Sequence, residues 1–151
     1  MKKLEFKINI AASRQQVWDT MLGPETYKQW VNASWPGATY EGKWGKGENI
    51  KFGMDGQGGT LATLVEFRPY EFILAKHIAV INSDGSEDRN SDIAKTWIGT
   101  TESYNFTEKN GITTLTVEML ISPEWEKMIA DGWPNALAAL KEICENSTVT
   151  A

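Results

Sequence analysis

The sequence predicts an α+β fold in which an antiparallel sheet of about seven strands grips one long C-terminal helix. Three observations carry that prediction. In 122–146, SPEWEKMIADGWPNALAALKEICEN, the residues Trp125, Met128, Ile129, Trp133, Ala136, Leu137, Leu140 and Ile143 recur at spacings of three and four, a helical stripe that needs an apolar partner surface. At the other end of the chain Leu4, Phe6, Ile8 and Ile10 alternate with Lys3, Glu5, Lys7 and Asn9, the period-two pattern of a strand with one buried face. Between them lie short β-prone runs separated by glycine-rich turns, the punctuation of an antiparallel meander.

After the first strand, Ser13 and Gln16 make a capping box, and Val17, Trp18 and Met21 then share one face of a short helix ending at Gly23. Pro24 opens a second short helix, PETYKQWV, with Tyr27, Trp30 and Val31 on its inner side. The runs 38–44, 49–54, 60–68 and 71–81 read as strands joined through GKGE, DGQGG and RPY. Residues 82–92, NSDGSEDRNSD, contain no apolar member and read as a solvated loop whose carboxylates match no calcium-loop spacing. Two more strands, 94–107 and 112–121, flank EKNG, whose Asn-Gly pair favours the positive dihedrals of a hairpin turn. In the final helix Ser122 is the expected N-cap and Pro123 the first helical residue, while Pro134 predicts a kink or a break near 132–134. With no internal repeat or linker, 1–151 reads as a single domain.

Composition excludes several functions. An apolar fraction of 41% with 23% charged residues belongs to an ordinary globular protein. No run approaches the roughly 20 apolar residues that cross a bilayer, and MKKLEFKINI alternates where a signal peptide would hold an apolar block, so a cytoplasmic protein without a membrane partner is expected. A net charge of −5 and a pI near 4.9, with 15 scattered Lys and Arg, argue against nucleic acid. The one cysteine, Cys144, forms no internal disulfide and reads as a small buried apolar residue. Seven tryptophans, spread from Trp18 to Trp133, are an excess that predicts an aromatic-lined interior.

Chemistry is sparse. A nucleophile and its base would have to use His77, the one histidine, and there is no GxSxG elbow. One His and one Cys on separate elements do not make a zinc site, and 45–47 and 56–59 join strands instead of opening helices, so neither a metal nor a nucleotide cofactor is predicted. His77 reads either as a general acid or base facing a cavity or, the preferred reading, as a half-buried strand histidine hydrogen-bonded to a neighbour. Glu66, Glu102 and Glu118 lie within strands, where outward solvation is the default reading.

Four stretches in this order, INIAASRQQVWDTMLGPETYKQW, LVEFRPYEFILAKH, ESYNFTEKNGITTLTVEM and GWPNALAALKEI, resemble the START-like helix-grip (SRPBCC) superfamily, and within it the Hsp90 ATPase activator homologue 1-like domains. The resemblance covers most of the chain; Pro134 and the polar loop at 82–92 depart from it. It implies a curved antiparallel sheet wrapped round the C-terminal helix, with a cavity between them often suited to an apolar small molecule. With the tryptophan excess and the place of Trp133 on the helix stripe, it implies a cavity bordered by Trp35, Phe52, Met54, His77, Trp97, Tyr104, Met128 and Trp133. The preferred expectation is binding of an apolar or aromatic small molecule without cofactor or catalysis, by a monomer or weak dimer. Two alternatives accompany it: a cyclase- or aromatase-type cavity enzyme using His77 with an inward carboxylate, and a stress-response co-chaperone module for an Hsp90-type partner. The second is weakened because the family's namesake carries another, N-terminal domain. Register is the open point, since a slip of one residue would turn Phe52 and Met54 outward.

Overall fold

In the computed structural model, residues 1–54 and 57–149 are described, apart from the side chains of Met54 and of 147–149. The alternating N-terminus forms β1 (Lys2–Ile10), whose even-numbered residues from Leu4 turn inward. Then come α1 (Arg14–Leu22), α2 (Pro24–Val31), β2 (Ala38–Gly42), β3 (Asn49–Met54), β4 (Gly58–Arg68) and β5 (Phe72–Ile81). A two-residue β6 (Glu87–Asp88) and a short α3 (Asp92–Trp97) precede the hairpin β7 (Thr101–Lys109) and β8 (Ile112–Ile121), and α4 (Glu126–Val149) closes the chain. The strands form a curved antiparallel sheet in the order β1-β8-β7-β5-β4-β3-β2, with β6 appended to β5.

Curvature has local causes. β4 is irregular against β5 at Leu61/Ala62 and again at Leu64/Glu66, and such bulges bend a strand and raise its twist. Gly53 and Gly59 face each other between β3 and β4. A Cβ on Gly59 would come within 1.9 Å of the Phe52 carbonyl oxygen, so the two strands approach here as only glycine allows. At the EKNG turn Asn110 and Gly111 both have positive φ, as the hairpin requires.

The hollow of the sheet is filled by α4. Ile129, Trp133, Ala136, Leu137, Leu140 and Cys144 are buried in one core with Ile10, Leu115, Val117 and Met119, and Leu4, Phe6 and Ile8 pack against it. α1 is tied to α4 by its own cap. Ser13 Oγ accepts from the Gln16 amide as expected, but the Gln16 side chain donates to the Cys144 carbonyl at 3.0 Å instead of completing a capping box.

Two expectations need correction. The arm 94–107 is not all strand: Ser91 Oγ accepts from the Ala94 amide, Asp92 suits the first turn, and Gly99 at φ +90 ends the piece, so 92–97 is helical and β7 begins at Thr101. The break expected near Pro134 is absent, and α4 runs through it. Packing outweighs the one lost hydrogen bond, because the Trp35 ring packs against Gly132 and Ser34 Oγ donates to the Gly132 carbonyl. The helix start differs in detail: Ser122 Oγ donates to Glu124, and Pro123–Trp125 form a 3-10 turn ahead of α4.

Loop 82–92 is exposed, and its acids are occupied locally. Asp84 accepts from the Ser86 amide and hydroxyl, and Asp88 from the Asn90 and Ser91 amides. The Ser86 hydroxyl and amide hold Asp84, and the Ser91 hydroxyl with the Ser91 and Asn90 amides holds Asp88, below the ordinary carboxylate range.

Candidate functional site

Strand alternation decides what faces α4. In β5 Ile73, Ala75, His77, Ala79 and Ile81 are buried; in β7 Glu102, Tyr104 and Phe106 share the inward parity. Ala75 pairs with Glu102, so His77 lies diagonal to Glu102, within reach of a long side chain. Ala62 pairs with His77, and Gly59 and Gly53 lie further along the same sheet. These small residues leave room between sheet and helix. The result is a cavity of about 260 Å³.

The structure places seven of the eight expected residues around it: Trp35, Phe52, His77, Trp97, Tyr104, Met128 and Trp133. The side chain of Met54 lies outside the described residues; its backbone ends β3 opposite Ala38 and Gly58. Trp133 is the hub, with ring centroids 6.4 Å from Phe6, 6.0 Å from Trp30, 5.6 Å from Trp35 and 6.0 Å from Tyr104. Trp97, carried by α3 and not by a strand, sets its edge to His77 at 5.6 Å and tilts against Trp125 at 5.2 Å. Met128 is 44% exposed and is the most open part of the wall.

Sequence reasoning under-read one end of the cavity. Glu102, by default solvated, is 7% exposed and lines it; Tyr27, Trp30 and Trp44 line it too. The signal was present, because Glu102 shares its parity with Tyr104 and Phe106. Glu66 is partly exposed, and Glu118, beside Lys3 at 3.5 Å, is solvated as expected.

His77 is 4% exposed, not half-buried. Its Nε2 stands 3.7 Å from Glu102 Oε1, beyond hydrogen-bond range, and its buried Nδ1 has no partner among the described residues, nor has Trp44 Nε1. The two groups do not form an ion pair near neutral pH. Burial disfavours charge on each, drawing the imidazole down to about 4 and pushing the carboxyl up to about 7. The Tyr104 hydroxyl donates to Glu102, and both Tyr104 and Tyr27 are raised by burial and by the nearby carboxyl. The site is thus an aromatic box with one acid, one neutral imidazole and two phenols. It suits an apolar guest with a polar head, or a proton relay. Among the described residues, no group of three or more His, Cys, Asp or Glu side chains is placed to hold a metal ion, and no helix is long and apolar enough to cross a membrane.

Residues 11–145 match the family described as Activator of Hsp90 ATPase homolog 1-like protein. The chain belongs to that family. No curated protein matches it. Among solved structures it is similar to a protein from Mesorhizobium loti, at a TM-score of 0.75 and 11% identity, covering 96% of this chain and 98% of the other. It is similar as well to the Aha1 dimer from Colwellia psychrerythraea, at 0.69 and 19%, covering 96% and 97%. A third likeness is to a protein in the dynemicin biosynthetic locus, at 0.71 and 13%, covering 97% of this chain and 48% of that one. At such identities these likenesses establish the helix-grip fold.

Proposed function

We propose that this protein binds an apolar or aromatic small molecule in the cavity between the sheet and α4. One observation carries the reading: five of the seven tryptophans, Trp30, Trp35, Trp44, Trp97 and Trp133, converge on one cavity that also holds buried polar groups. Family membership and the likeness to a biosynthetic-locus protein support it. The residues proposed to contact the ligand are Trp35, Phe52, His77, Trp97, Tyr104, Met128 and Trp133, with Glu102, Tyr27, Trp30 and Trp44 added. Titration of intrinsic tryptophan fluorescence against flavonoids, polyketide-like aromatics, sterols and fatty acids tests it. Saturable change with one class is the expected result; no response to any class removes the reading and advances surface binding of a chaperone partner.

The His77–Glu102 approach at 3.7 Å favours one second reading, acid–base catalysis on the bound molecule. In that role Glu102 is the proton donor and His77 a weak base, the order that their opposed displacements impose. Unchanged ligand after prolonged incubation with the protein decides for binding alone.

A further inference from the structure

The charge of the cavity wall restricts what it can accept. Among the described residues that line it, none is Lys or Arg, and the one acid is Glu102. The described ion pairs give Glu102 no basic neighbour except the neutral His77. A buried carboxyl without a cationic partner is costly when ionised. Trp97, Tyr27, Tyr104 and Trp133 line the same cavity, and aromatic faces attract cations. His77, neutral beside Glu102, brings no positive charge to the carboxyl.

We propose that the cavity selects a small aromatic amine, whose ammonium group pairs with the Glu102 carboxylate. The proposal rests on the small-molecule reading above and narrows it. An anionic ligand would lose its hydration with nothing to pair it. A neutral ligand leaves the buried acid unpaired; an ammonium supplies the missing charge. A volume of about 260 Å³ lies just below the usual range of about 300–1,000 Å³ for ligand sites, which suits one or two rings.

The groups facing Glu102 are His77 from β5, Tyr104 from its own strand and Tyr27 from α2; β8 presents Met119. His77 is drawn down to about 4 and both tyrosines are raised above their ordinary value, so Glu102 is the group of this set that titrates between pH 6 and 8. Amine binding therefore strengthens by about tenfold across that range, following the ionised fraction of a carboxyl near 7.

Calorimetric titration with 2-phenylethylamine, 2-phenylethanol and 3-phenylpropionate at pH 6 and pH 8 tests this. The amine is expected to bind tightest at pH 8 and about tenfold more weakly at pH 6, with the alcohol nearly unchanged and the carboxylate weakest. Glu102→Gln, checked for an intact melting transition, should erase the amine's advantage and its pH dependence while alcohol binding persists. Equal or tighter binding of the alcohol or the carboxylate at pH 8, or a flat amine profile, overturns the amine proposal and leaves small-molecule binding standing. If the fluorescence panel binds and the amine does not, the amine proposal also falls alone. Silence from both sets defeats both.

Discussion

His77 and Glu102 are displaced in opposite directions by the same burial, from about 6.5 to about 4 and from about 4.5 to about 7. Each displacement corresponds to about 3 kcal/mol. For His77, the lowered value means stability present above pH 6.5 and lost as pH falls toward 4, because the unfolded chain takes up the proton first. For Glu102, the raised value means stability present below pH 4.5 and lost as pH rises through 7. Between pH 4.5 and 6.5 the slopes cancel, since the pair carries one proton folded or unfolded. We expect a flat stability profile for the wild type there. Glu102→Gln should lose stability on acidification alone, and His77→Gln on alkalinisation alone, by up to about 3 kcal/mol in denaturant melts. Flat profiles in both variants would mean that neither group is held neutral by burial. This pair was only half legible in the sequence. Parity with Tyr104 and Phe106 points Glu102 inward, but the rule that carboxylates face solvent competes with it, and no single-strand pattern shows that a diagonal partner on β5 brings His77 alongside.

At the scale of the element, α4 and β1 were legible because a periodic apolar pattern is a direct imprint of one-sided burial. α3 was not. Its six residues are too few to show helical periodicity, and only the Ser91 cap and Gly99 mark its ends. Pro134 does not break α4, since propensity is local while the grip on α4 comes from Trp35, Ser34 and the rings about Trp133. Two predictions belong here. Leu140, fully buried on α4, should cost roughly 2–5 kcal/mol on truncation to Ala, and a loss under about half a kcal/mol would mean that the sheet does not grip the helix. Gly132→Ala would ordinarily favour a helix by about 1 kcal/mol. Here the new Cβ would fall 2.5 Å from Trp35 Cζ2, an overpacking cost of about 1–3 kcal/mol, so we expect net destabilisation of up to about 2 kcal/mol, with a changed Trp fluorescence spectrum. A stabilised variant with an unchanged spectrum would show that Trp35 does not rest on the helix.

Across the whole molecule, one side chain joins the parts that enclose the cavity. Trp133 on α4 meets Phe6 on β1, Tyr104 on β7, Trp30 on α2 and Trp35 in the segment after it. The β4 bulges bend the sheet, and the Trp133 hub bridges it to the helices that enclose the cavity. Trp133→Ala should therefore act on two quantities at once. Stability should fall by about 3–5 kcal/mol, the range for removing a buried tryptophan. Binding of an aromatic probe should weaken by about 1–3 kcal/mol, because an aromatic wall is lost while the space beside the helix grows. The two effects separate by ligand size, since a bulkier two-ring probe fills the enlarged space and should recover part of the lost affinity in the variant, whereas a one-ring probe should not. Equal losses for both probes would show that the wall of the cavity lies elsewhere. A stability loss without any change in binding would make Trp133 a packing residue alone.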